Sequence, residues 1–265
     1  MELPLLGMGT WGMGGKFERD ESTVDRSLEV LRRGFLLGLS LIDTAELYGE
    51  GLTEEIVGRA IKGHQREDLF LISKVWKTHL AYDDVLRAAE GSLERLDTPY
   101  IDLYLIHWPS GEVPLRETTR ALERLVSEGK VRAIGASNFS VADMENAQGA
   151  LTTVPFSANQ VEYNLLHQEA RADVIPYCKA HGISVIAHRP LARGDLSRTH
   201  TATLDMLAKK YGKTTNQIAL AWIMSQGITA IPATLDPEHM EENYGALSIV
   251  LQAEDQRLLN ASPLP

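Results

Sequence analysis

Four side chains of this sequence have the types and the placement that acid catalysis on a carbonyl compound requires. Asp43 ends one apolar run and is followed five residues later by Tyr48, while Lys74 and His107 each end a later run. A free tyrosine has a pKa of about 10, which is too high for easy proton donation near neutral pH. A neighbouring ammonium group stabilises the phenolate and lowers that pKa. We therefore predict that Lys74 lowers the pKa of Tyr48 and makes its phenol a usable acid.

The aspartate and the histidine complete this chemistry. A carboxylate beside Lys74 would hold the lysine in place and keep it protonated, and Asp43 can supply it. His107, across the pocket, would hydrogen-bond a substrate carbonyl and polarise it. None of the four groups is a good hydride donor, so a reduction also needs a cofactor. Taken singly, Asp43 fits a helix cap and Tyr48 fits packing, but such titratable groups gathered together indicate a functional site.

Further polar residues come at the same end of later apolar runs. They are Ser137 and Asn138 after the fifth run, Gln160 in the sixth, and His188 and Arg189 at the end of the seventh. Barrel enzymes built from alternating strands and helices place their chemistry at the C-terminal ends of the strands. A series of polar residues in this position therefore predicts one shared site.

The elements that must position these residues are eight short apolar runs, which alternate with longer amphipathic segments. This alternation is typical of buried parallel strands joined by helices. The predicted strands are Leu5–Gly9, Leu39–Asp43, Leu69–Lys74, Ile101–His107, Val131–Ala136, Ser157–Val161, Ile183–His188 and Ile228–Ile231. The first intervening helix is predicted by one apolar face, made of Val24, Leu28, Leu31 and Phe35.

Helix start and stop signals fall between these runs. Thr214 with Gln217 makes a capping box, and Ser140 with Asp143 makes a weaker one. A glycine closes four helical stretches just before a strand, where a left-handed residue ends a helix. These glycines are Gly38, Gly129, Gly182 and Gly227. The repeated unit predicts an α/β fold of the (β/α)₈ TIM-barrel class, a single domain over residues 1–265 with short loops and a short C-terminal tail. A doubly wound open sheet is the alternative.

Composition and charge narrow the class of protein. The 265 residues suit one such barrel, and the formal net charge of −10 disfavours a nucleic-acid partner. Cys178 is the only cysteine, so no intrachain disulfide is expected and a cytoplasmic location is favoured. We find no signal-peptide pattern and no apolar run long enough for a membrane span, so no membrane association is expected. The expected state is a monomer or a weak oligomer.

A glycine pattern and several scattered histidines do not indicate binding sites. Gly7–Gly12 fits the dinucleotide-binding motif G-x-G-x-x-G, but that motif needs a helix that opens directly, and helical periodicity begins only near Val24. We interpret the segment as a first strand and its loop. Histidines elsewhere in the chain show no metal-ligand spacing, and no cysteine pair exists, so no metal is predicted. These histidines are His64, His79, His167, His181 and His200.

With these residues in place, the chain resembles the aldo-keto reductase superfamily over nearly its whole length. The motifs that carry the resemblance are Leu41–Gly49 (LIDTAELYG), Ile72–Lys74 (ISK), Asp102–Pro109 (DLYLIHWP), Gly135–Phe139 (GASNF), Asn159–Glu162 (NQVE) and the late pair Ile231–Pro232. They come in family order and at plausible spacings. The resemblance implies reduction of aldehydes or ketones to alcohols with NADP(H) or NAD(H), and a catalytic tetrad of Asp43, Tyr48, Lys74 and His107 with Tyr48 as proton donor.

The resemblance also implies residues that bind the cofactor and the substrate. Ser137, Asn138 and Gln160 would hydrogen-bond the nicotinamide carboxamide, and Glu242 and Asn243 match positions that contact adenine. Further cofactor contacts are expected from His188, Arg189, Leu191, Thr234 and His239. Trp11, Trp76 and Trp108 match positions that wall the substrate pocket.

The chain departs from the family pattern at the cofactor site. His188 stands where a tyrosine usually stacks on the nicotinamide, and an imidazole can still stack. Ala233 and His239 stand where members that prefer NADPH often carry a lysine and an arginine for the 2′-phosphate, so the preference between NADPH and NADH stays open. Arg189, Arg193 and Arg198 are other candidates for a phosphate contact. The shortness of the chain predicts an open site with broad substrate selection.

Two other functions stay open at this point. One is a barrel that binds the cofactor but serves as a regulatory or redox-sensing partner with little turnover. The other is a Schiff-base aldolase with Lys74 as nucleophile, which would need that lysine unprotonated. The natural substrate and the physiological direction are not given by the sequence.

Overall fold

A computed structural model describes residues 1–196 and 202–261 of the chain. Eight strands are found in these two ranges, and each lies within or overlaps a predicted apolar run. They are β1 (Met8–Gly9), β2 (Leu41–Asp43), β3 (Phe70–Val75), β4 (Ile101–Ile106), β5 (Val131–Ser137), β6 (Phe156–Glu162), β7 (Ser184–His188) and β8 (Thr229–Ala230). All eight predicted strands are thereby confirmed.

Helices separate the strands and continue after the last one. In the same two ranges there are ten: α1 (Val24–Leu36), α2 (Leu52–Ala60), α3 (Tyr82–Leu96), α4 (Leu115–Ser127), α5 (Val141–Ala150), α6 (Val174–Ala180), α7 (Ala202–Tyr211), α8 (Thr215–Met224), α9 (Pro237–Gly245) and α10 (Ala253–Ala261). Among the helices so described, none combines the length and the apolarity that crossing a bilayer would require.

The strands form one parallel sheet in the order in which they occur along the chain, from β1 to β8. The sheet then closes on itself, because Leu6 forms a parallel bridge with Ala230, and Gly9 forms one with Ala233. Closure in sequence order confirms the (β/α)₈ barrel. The doubly wound open sheet is wrong, since such a sheet would reverse its strand order and leave two free edges.

Local sequence signals explain where the helices begin and end. The hydroxyl of Thr214 accepts a hydrogen bond from the backbone N–H of Gln217, and the Gln217 side chain accepts one from the backbone N–H of Thr214, so α8 begins with the predicted capping box. The pair Ser140 and Asp143 forms the same box at the start of α5. The four predicted stop glycines all have positive φ, between 68° at Gly182 and 92° at Gly38. These caps satisfy backbone groups that a helix end leaves without partners.

The interior of the barrel explains how the strands deliver polar groups to one end. Apolar side chains fill the barrel interior, and they form a core of their own apart from the larger core between sheet and helices. Successive side chains of a strand point to opposite faces, so the residue two positions after an inward one also points inward. For five strands that later residue, in the strand or directly after it, is polar. The pairs are Leu41 with Asp43, Ile72 with Lys74, Leu105 with His107, Ala158 with Gln160 and Ile186 with His188.

The glycine-rich start of the chain is a strand and a loop, as interpreted from the sequence. A Cβ on Gly9 would lie 2.6 Å from the carbonyl oxygen of Ile231, so only glycine lets β1 approach the segment after β8 this closely. No helix follows until α1. The glycine pattern of residues 7–12 therefore serves the closure of the barrel and not a dinucleotide-binding helix.

Candidate active site

A cavity of about 930 Å³ opens at the C-terminal ends of the strands. Its size lies within the usual range for small-molecule and cofactor sites. All the predicted site residues except Lys74 line it, namely Trp11, Asp43, Tyr48, Trp76, His107, Trp108, Ser137, Asn138, Gln160, His188, Arg189, Leu191, Thr234, His239, Glu242 and Asn243. Lys74 lies fully buried, within hydrogen-bond distance of Asp43 and Tyr48, which do line it. The structure thus brings the predicted site residues together.

Lys74 is held by three oxygen acceptors. Its Nζ lies 2.8 Å from Oδ2 of Asp43, 2.8 Å from the carbonyl oxygen of Thr44 and 3.3 Å from the hydroxyl oxygen of Tyr48. An ammonium group has three protons to donate, so each acceptor can take one. The Lys74 side chain is completely buried and that of Asp43 is 4 % exposed, which makes this a buried ion pair aimed at the phenol.

The charges of this group decide the protonation of its members. Burial lowers the pKa of Lys74, but the Asp43 carboxylate and the Tyr48 phenol outweigh it, so the pKa is raised and the ammonium form persists. Burial raises the pKa of Tyr48 above its usual value, and the charge of Lys74 only opposes that rise. Lys74 thus acts on the pKa of Tyr48 in the predicted direction, but the expected net lowering of that pKa is wrong. Loss of water around the phenolate outweighs the ammonium in the molecule as it stands.

His107 is a neutral imidazole beside the phenol. Its ring centroid lies 5.6 Å from that of Tyr48, and burial together with the charge of Lys74 lowers its pKa to about 2. Its Nδ1 is buried and has no hydrogen-bond partner among the described residues. A buried polar atom without a partner is uncommon in native proteins. This one lies at the wall of the cavity, where a bound molecule can reach the ring.

An amide cluster lies between the strands β5, β6 and β7. Nδ2 of Asn138 donates to the carbonyl oxygen of His107 at 3.1 Å and to the hydroxyl of Ser137 at 2.9 Å. Because a carbonyl oxygen only accepts, the atom of Asn138 that meets His107 must be the amide nitrogen. The amide oxygen of Asn138 is then the atom that lies 2.8 Å from Nε2 of His188. The His188 ring must therefore carry its proton on Nε2. Its pKa is lowered to about 3 by burial and by Arg189, so it is the neutral tautomer that donates.

Gln160 joins this cluster to the buried ion pair. Its Nε2 donates to Oδ1 of Asp43 at 2.7 Å, while Oδ2 of the same carboxylate accepts from Lys74. Since the carboxylate only accepts, Gln160 gives it an amide N–H, and within residues 1–196 and 202–261 no hydrogen bond engages the Gln160 amide oxygen. The Ser137 hydroxyl, which accepts from Asn138, keeps its own proton. A primary carboxamide offers both an N–H₂ donor and an oxygen acceptor. These residues therefore fit the nicotinamide carboxamide that the sequence led us to expect.

The remaining expected cofactor residues extend along the cavity from this cluster. Arg189, which has a left-handed φ of 50°, forms an ion pair with Glu162 at 2.6 Å. The side chain of Glu242 accepts a hydrogen bond from the Thr214 hydroxyl at 2.5 Å. Arg193 also lines the cavity and can meet a phosphate. Arg198, the other candidate for a phosphate contact, and His200 lie outside the described residues.

Aromatic side chains wall the other part of the cavity. Trp11 packs edge-on against Tyr48 with ring centroids 4.8 Å apart, and Trp76 packs edge-on against His107 at 5.1 Å. Trp108 lines the same part and is 40 % exposed. Phe17, which the sequence analysis did not single out, packs against Trp11 at 5.2 Å. The tryptophans thus lie beside the groups expected to act on a carbonyl.

Several residues that line the cavity or brace its loops were missed from the sequence. Lys16 and Asn216 line the cavity, and Glu46 joins two of its loops. Glu46 lies only two residues before Tyr48, and that proximity was the available signal. Lys16 and Asn216 offered none, because neither ends an apolar run. Among the residues that the structure describes, no cluster of three or more His, Cys, Asp or Glu side chains is placed to hold a metal ion.

Comparisons with known proteins find reductases of similar sequence and fold. A sequence model of the aldo/keto reductase family matches residues 5–262. Methylglyoxal reductase YeaE of Escherichia coli strain K12 is 37 % identical over 270 aligned positions, which cover 100 % of this chain and 93 % of that protein. Glyoxal reductase of Bacillus subtilis strain 168 is 37 % identical over 265 positions, covering 98 % of this chain and 89 % of that protein.

Solved structures agree with the sequence matches. The thermostable aldo-keto reductase Tm1743, solved with the inhibitor epalrestat, is similar with a TM-score of 0.92 and 43 % identity, covering 98 % of this chain and 95 % of that one. An aldo-keto reductase from Klebsiella pneumoniae in complex with NADPH gives a TM-score of 0.90 and 39 % identity, covering 99 % and 92 %. Both cover nearly the full length of the barrel.

Proposed function

This chain belongs to the aldo/keto reductase family and reduces aldehydes or ketones to alcohols with a nicotinamide cofactor, and we propose that Tyr48 donates the proton in that reaction. The observation that carries the proposal is the contact of 3.3 Å between Nζ of Lys74 and the hydroxyl oxygen of Tyr48, with Asp43 behind the lysine. The phenol is thereby placed at the wall of the cavity with a fixed positive charge behind it.

The residues divide the chemistry as follows. When bound, the nicotinamide supplies the hydride to the carbonyl carbon. Negative charge then develops on the carbonyl oxygen, and Tyr48 gives that oxygen its proton. The phenolate that remains is stabilised by Lys74, which Asp43 keeps charged. The raised pKa of Tyr48 keeps the phenol protonated at neutral pH until negative charge develops on the substrate oxygen.

His107 orients the carbonyl. As a neutral imidazole it has one N–H to donate, and its ring lines the cavity beside Tyr48. A donor held in place before the reaction stabilises the oxygen as its charge grows, and removal of such a donor typically costs about 10²–10³ in kcat. We assign this role to His107.

The cofactor would be held by the amide cluster and the loops after β7 and β8. Ser137, Asn138 and Gln160 would meet the carboxamide, and His188 would face the ring. Leu191, Thr234, His239, Glu242 and Asn243 would contact the remainder of the dinucleotide. Arg189 and Arg193 line the same cavity and would meet its phosphates, and Lys16 is a further cation in its wall.

We propose that the substrates are small carbonyl compounds and that the enzyme discriminates little among them. The relatives named above as methylglyoxal reductase and glyoxal reductase support 2-oxoaldehydes as a first class to try. The substrate side, walled by Trp11, Trp76 and Trp108, is open enough that Trp108 is 40 % exposed. A single small carbonyl compound turned over far better than all others would contradict broad selection.

The test is oxidation of NADPH and NADH with a panel of aldehydes, ketones and dicarbonyls, run beside Tyr48→Phe. Phenylalanine preserves the ring that packs on Trp11 and removes only the hydroxyl. We expect turnover to fall by about 10²–10⁴, the range for loss of a general acid, while cofactor affinity stays the same. Retention of most of the turnover in Tyr48→Phe would overturn the assignment of the acid.

The same experiment addresses the alternatives. Tight cofactor binding with no turnover of any carbonyl compound would favour a regulatory barrel. Borohydride trapping of a substrate on Lys74 would favour an aldolase, but the raised pKa of this buried lysine keeps it in the ammonium form, which is not a nucleophile.

We also propose that this protein is cytoplasmic, that it is a monomer or a weak oligomer, and that it does not bind nucleic acid. The single cysteine, buried in α6, supports a reducing compartment, and the net charge of −10 disfavours phosphate backbones. Light scattering during size-exclusion chromatography at several protein concentrations tests the oligomeric state, and a dimer that persists at the lowest concentration would contradict it.

A further inference from the structure

A largely buried carboxylate joins two of the loops that build the cavity. Oε1 of Glu46, in the loop after β2, accepts from the backbone N–H of Trp76 at 2.6 Å. The same oxygen lies 2.9 Å from Nδ1 of His79. Trp76 and His79 both belong to the loop after β3, and the N–H of His79 donates to the carbonyl oxygen of Trp76 at 2.9 Å. The Glu46 side chain is only 10 % exposed, so water competes little for these bonds.

Each of the two joined loops carries a residue that faces the substrate side. Tyr48 follows Glu46 by two positions, and Trp76 packs edge-on against His107 with ring centroids 5.1 Å apart. The backbone N–H of Trp76 is therefore fixed by the loop that also carries the phenol. No strand hydrogen bond can replace this contact, because β3 ends at Val75.

We propose that Glu46 is a positioning residue that holds Trp76 against His107 and so shapes the substrate side of the cavity. It touches neither substrate nor cofactor and acts through the two loops. This inference rests on the proposed function only in that Trp76 and His107 face the carbonyl compound. A hydrogen bond to a charged acceptor is stronger than a neutral one, and a buried N–H left without an acceptor is costly. Removal of the carboxylate should therefore release Trp76.

The test compares Glu46→Ala with Glu46→Gln. Alanine removes the acceptor, and we expect KM for the carbonyl compound to rise by about fivefold to tenfold, with the Kd for NADPH unchanged. Glutamine retains an oxygen that can accept from the Trp76 N–H, so its KM should return to within about twofold of the wild type. Glu67→Ala is the matched control, since Glu67 is exposed and lies before β3, at the opposite end of the strand.

A double-mutant cycle with His79→Ala identifies the contact itself. Because His79 and Glu46 share one bond, the effects of the two alanine variants on KM should be less than additive. A merely structural role would lower the melting temperature and weaken cofactor binding along with substrate binding, without rescue by glutamine. An unchanged KM in Glu46→Ala, or equal defects in the alanine and glutamine variants, would overturn the inference. Should Glu46→Ala fail to fold, His79→Ala is the milder test, because it removes one of the two contacts of Glu46 Oε1 and is expected to raise KM by a smaller factor, whereas an unchanged KM would count against the inference.

The experiments distinguish failure of the positioning role of Glu46 from failure of the assignment of Tyr48 as the acid. If Tyr48→Phe abolishes turnover while Glu46→Ala keeps the wild-type KM, the positioning role alone fails. If Tyr48→Phe keeps its turnover, the acid is assigned wrongly, but KM in the Glu46 variants still reports whether the carboxylate shapes the substrate side.

Discussion

Nε2 of His188 donates a hydrogen bond of 2.8 Å to Oδ1 of Asn138, and this contact fixes both side chains at once. The Asn138 amide cannot turn over, because its Nδ2 is also bound to the carbonyl oxygen of His107. Asn138 itself has a left-handed φ of 61°, a conformation that asparagine adopts more readily than most residues other than glycine. A tyrosine ring at residue 188 could stack on a nicotinamide but would offer no ring nitrogen for this bond.

We therefore predict that His188→Phe weakens NADPH binding. Phenylalanine retains a ring that can stack and loses only the hydrogen bond to Asn138, so the Kd should rise by roughly fivefold to tenfold, as for one neutral hydrogen bond. The measurement is quenching of tryptophan fluorescence during NADPH titration. His181→Phe, an exposed site after α6 at the far end of the barrel, should leave the Kd unchanged. An unchanged Kd in His188→Phe would show that stacking alone carries the contact.

The eight strands could be predicted because burial on both faces leaves a clear apolar run. Inside the barrel, alternation then brings the residue at the end of each run to a common cavity. Asp43 and His188 are examples, since each ends its run, lines the cavity and follows an inward apolar residue by two positions. The same reasoning indicated that Asp43 would hold Lys74, and the two side chains lie 2.8 Å apart.

Properties that depend on the three-dimensional surroundings of a residue could not be predicted from the sequence. The pKa of Tyr48 depends on how much water burial removes as well as on the presence of Lys74, and only the structure gives the first of these. The contact between Glu46 and Trp76 joins residues 30 positions apart in two loops without periodicity. Phe17 and Lys16 reach the cavity because of the path of a loop, which no periodic pattern encodes.

Cofactor preference gives a second prediction. Ala233 and His239 line the cavity, and alanine offers a 2′-phosphate neither charge nor hydrogen bond. We expect the Kd for NADH to exceed that for NADPH by less than about tenfold, and Ala233→Lys to raise this ratio by about tenfold through one charge-assisted contact. Both constants come from the same fluorescence titration. Ala253→Lys, an exposed site on α10, is the control for added charge. A wild-type ratio far above this range would mean that other cations bind the phosphate.

The two histidines of the site also set how the fold responds to acid. Burial lowers the pKa of His107 to about 2 and that of His188 to about 3, whereas an unfolded chain takes up these protons near pH 6.5. Between these limits the unfolded state binds more protons than the folded state. The free energy of unfolding must therefore decrease as pH falls from about 6.5 towards 3, and each histidine contributes to that decrease.

We predict that His188→Phe is less sensitive to acid than the wild type. Over the interval from pH 6.5 to pH 5, one histidine that stays neutral when folded accounts for up to about 2 kcal/mol of lost stability, since one pKa unit corresponds to about 1.4 kcal/mol. Whatever the variant costs at pH 7.5, its stability should fall less steeply below pH 6.5. Urea unfolding at pH 7.5, 6.5, 5.5 and 5 measures this, with His181→Phe as the exposed control. Parallel curves for His188→Phe and the wild type would mean that His188 takes up its proton in the folded protein as readily as in the unfolded chain.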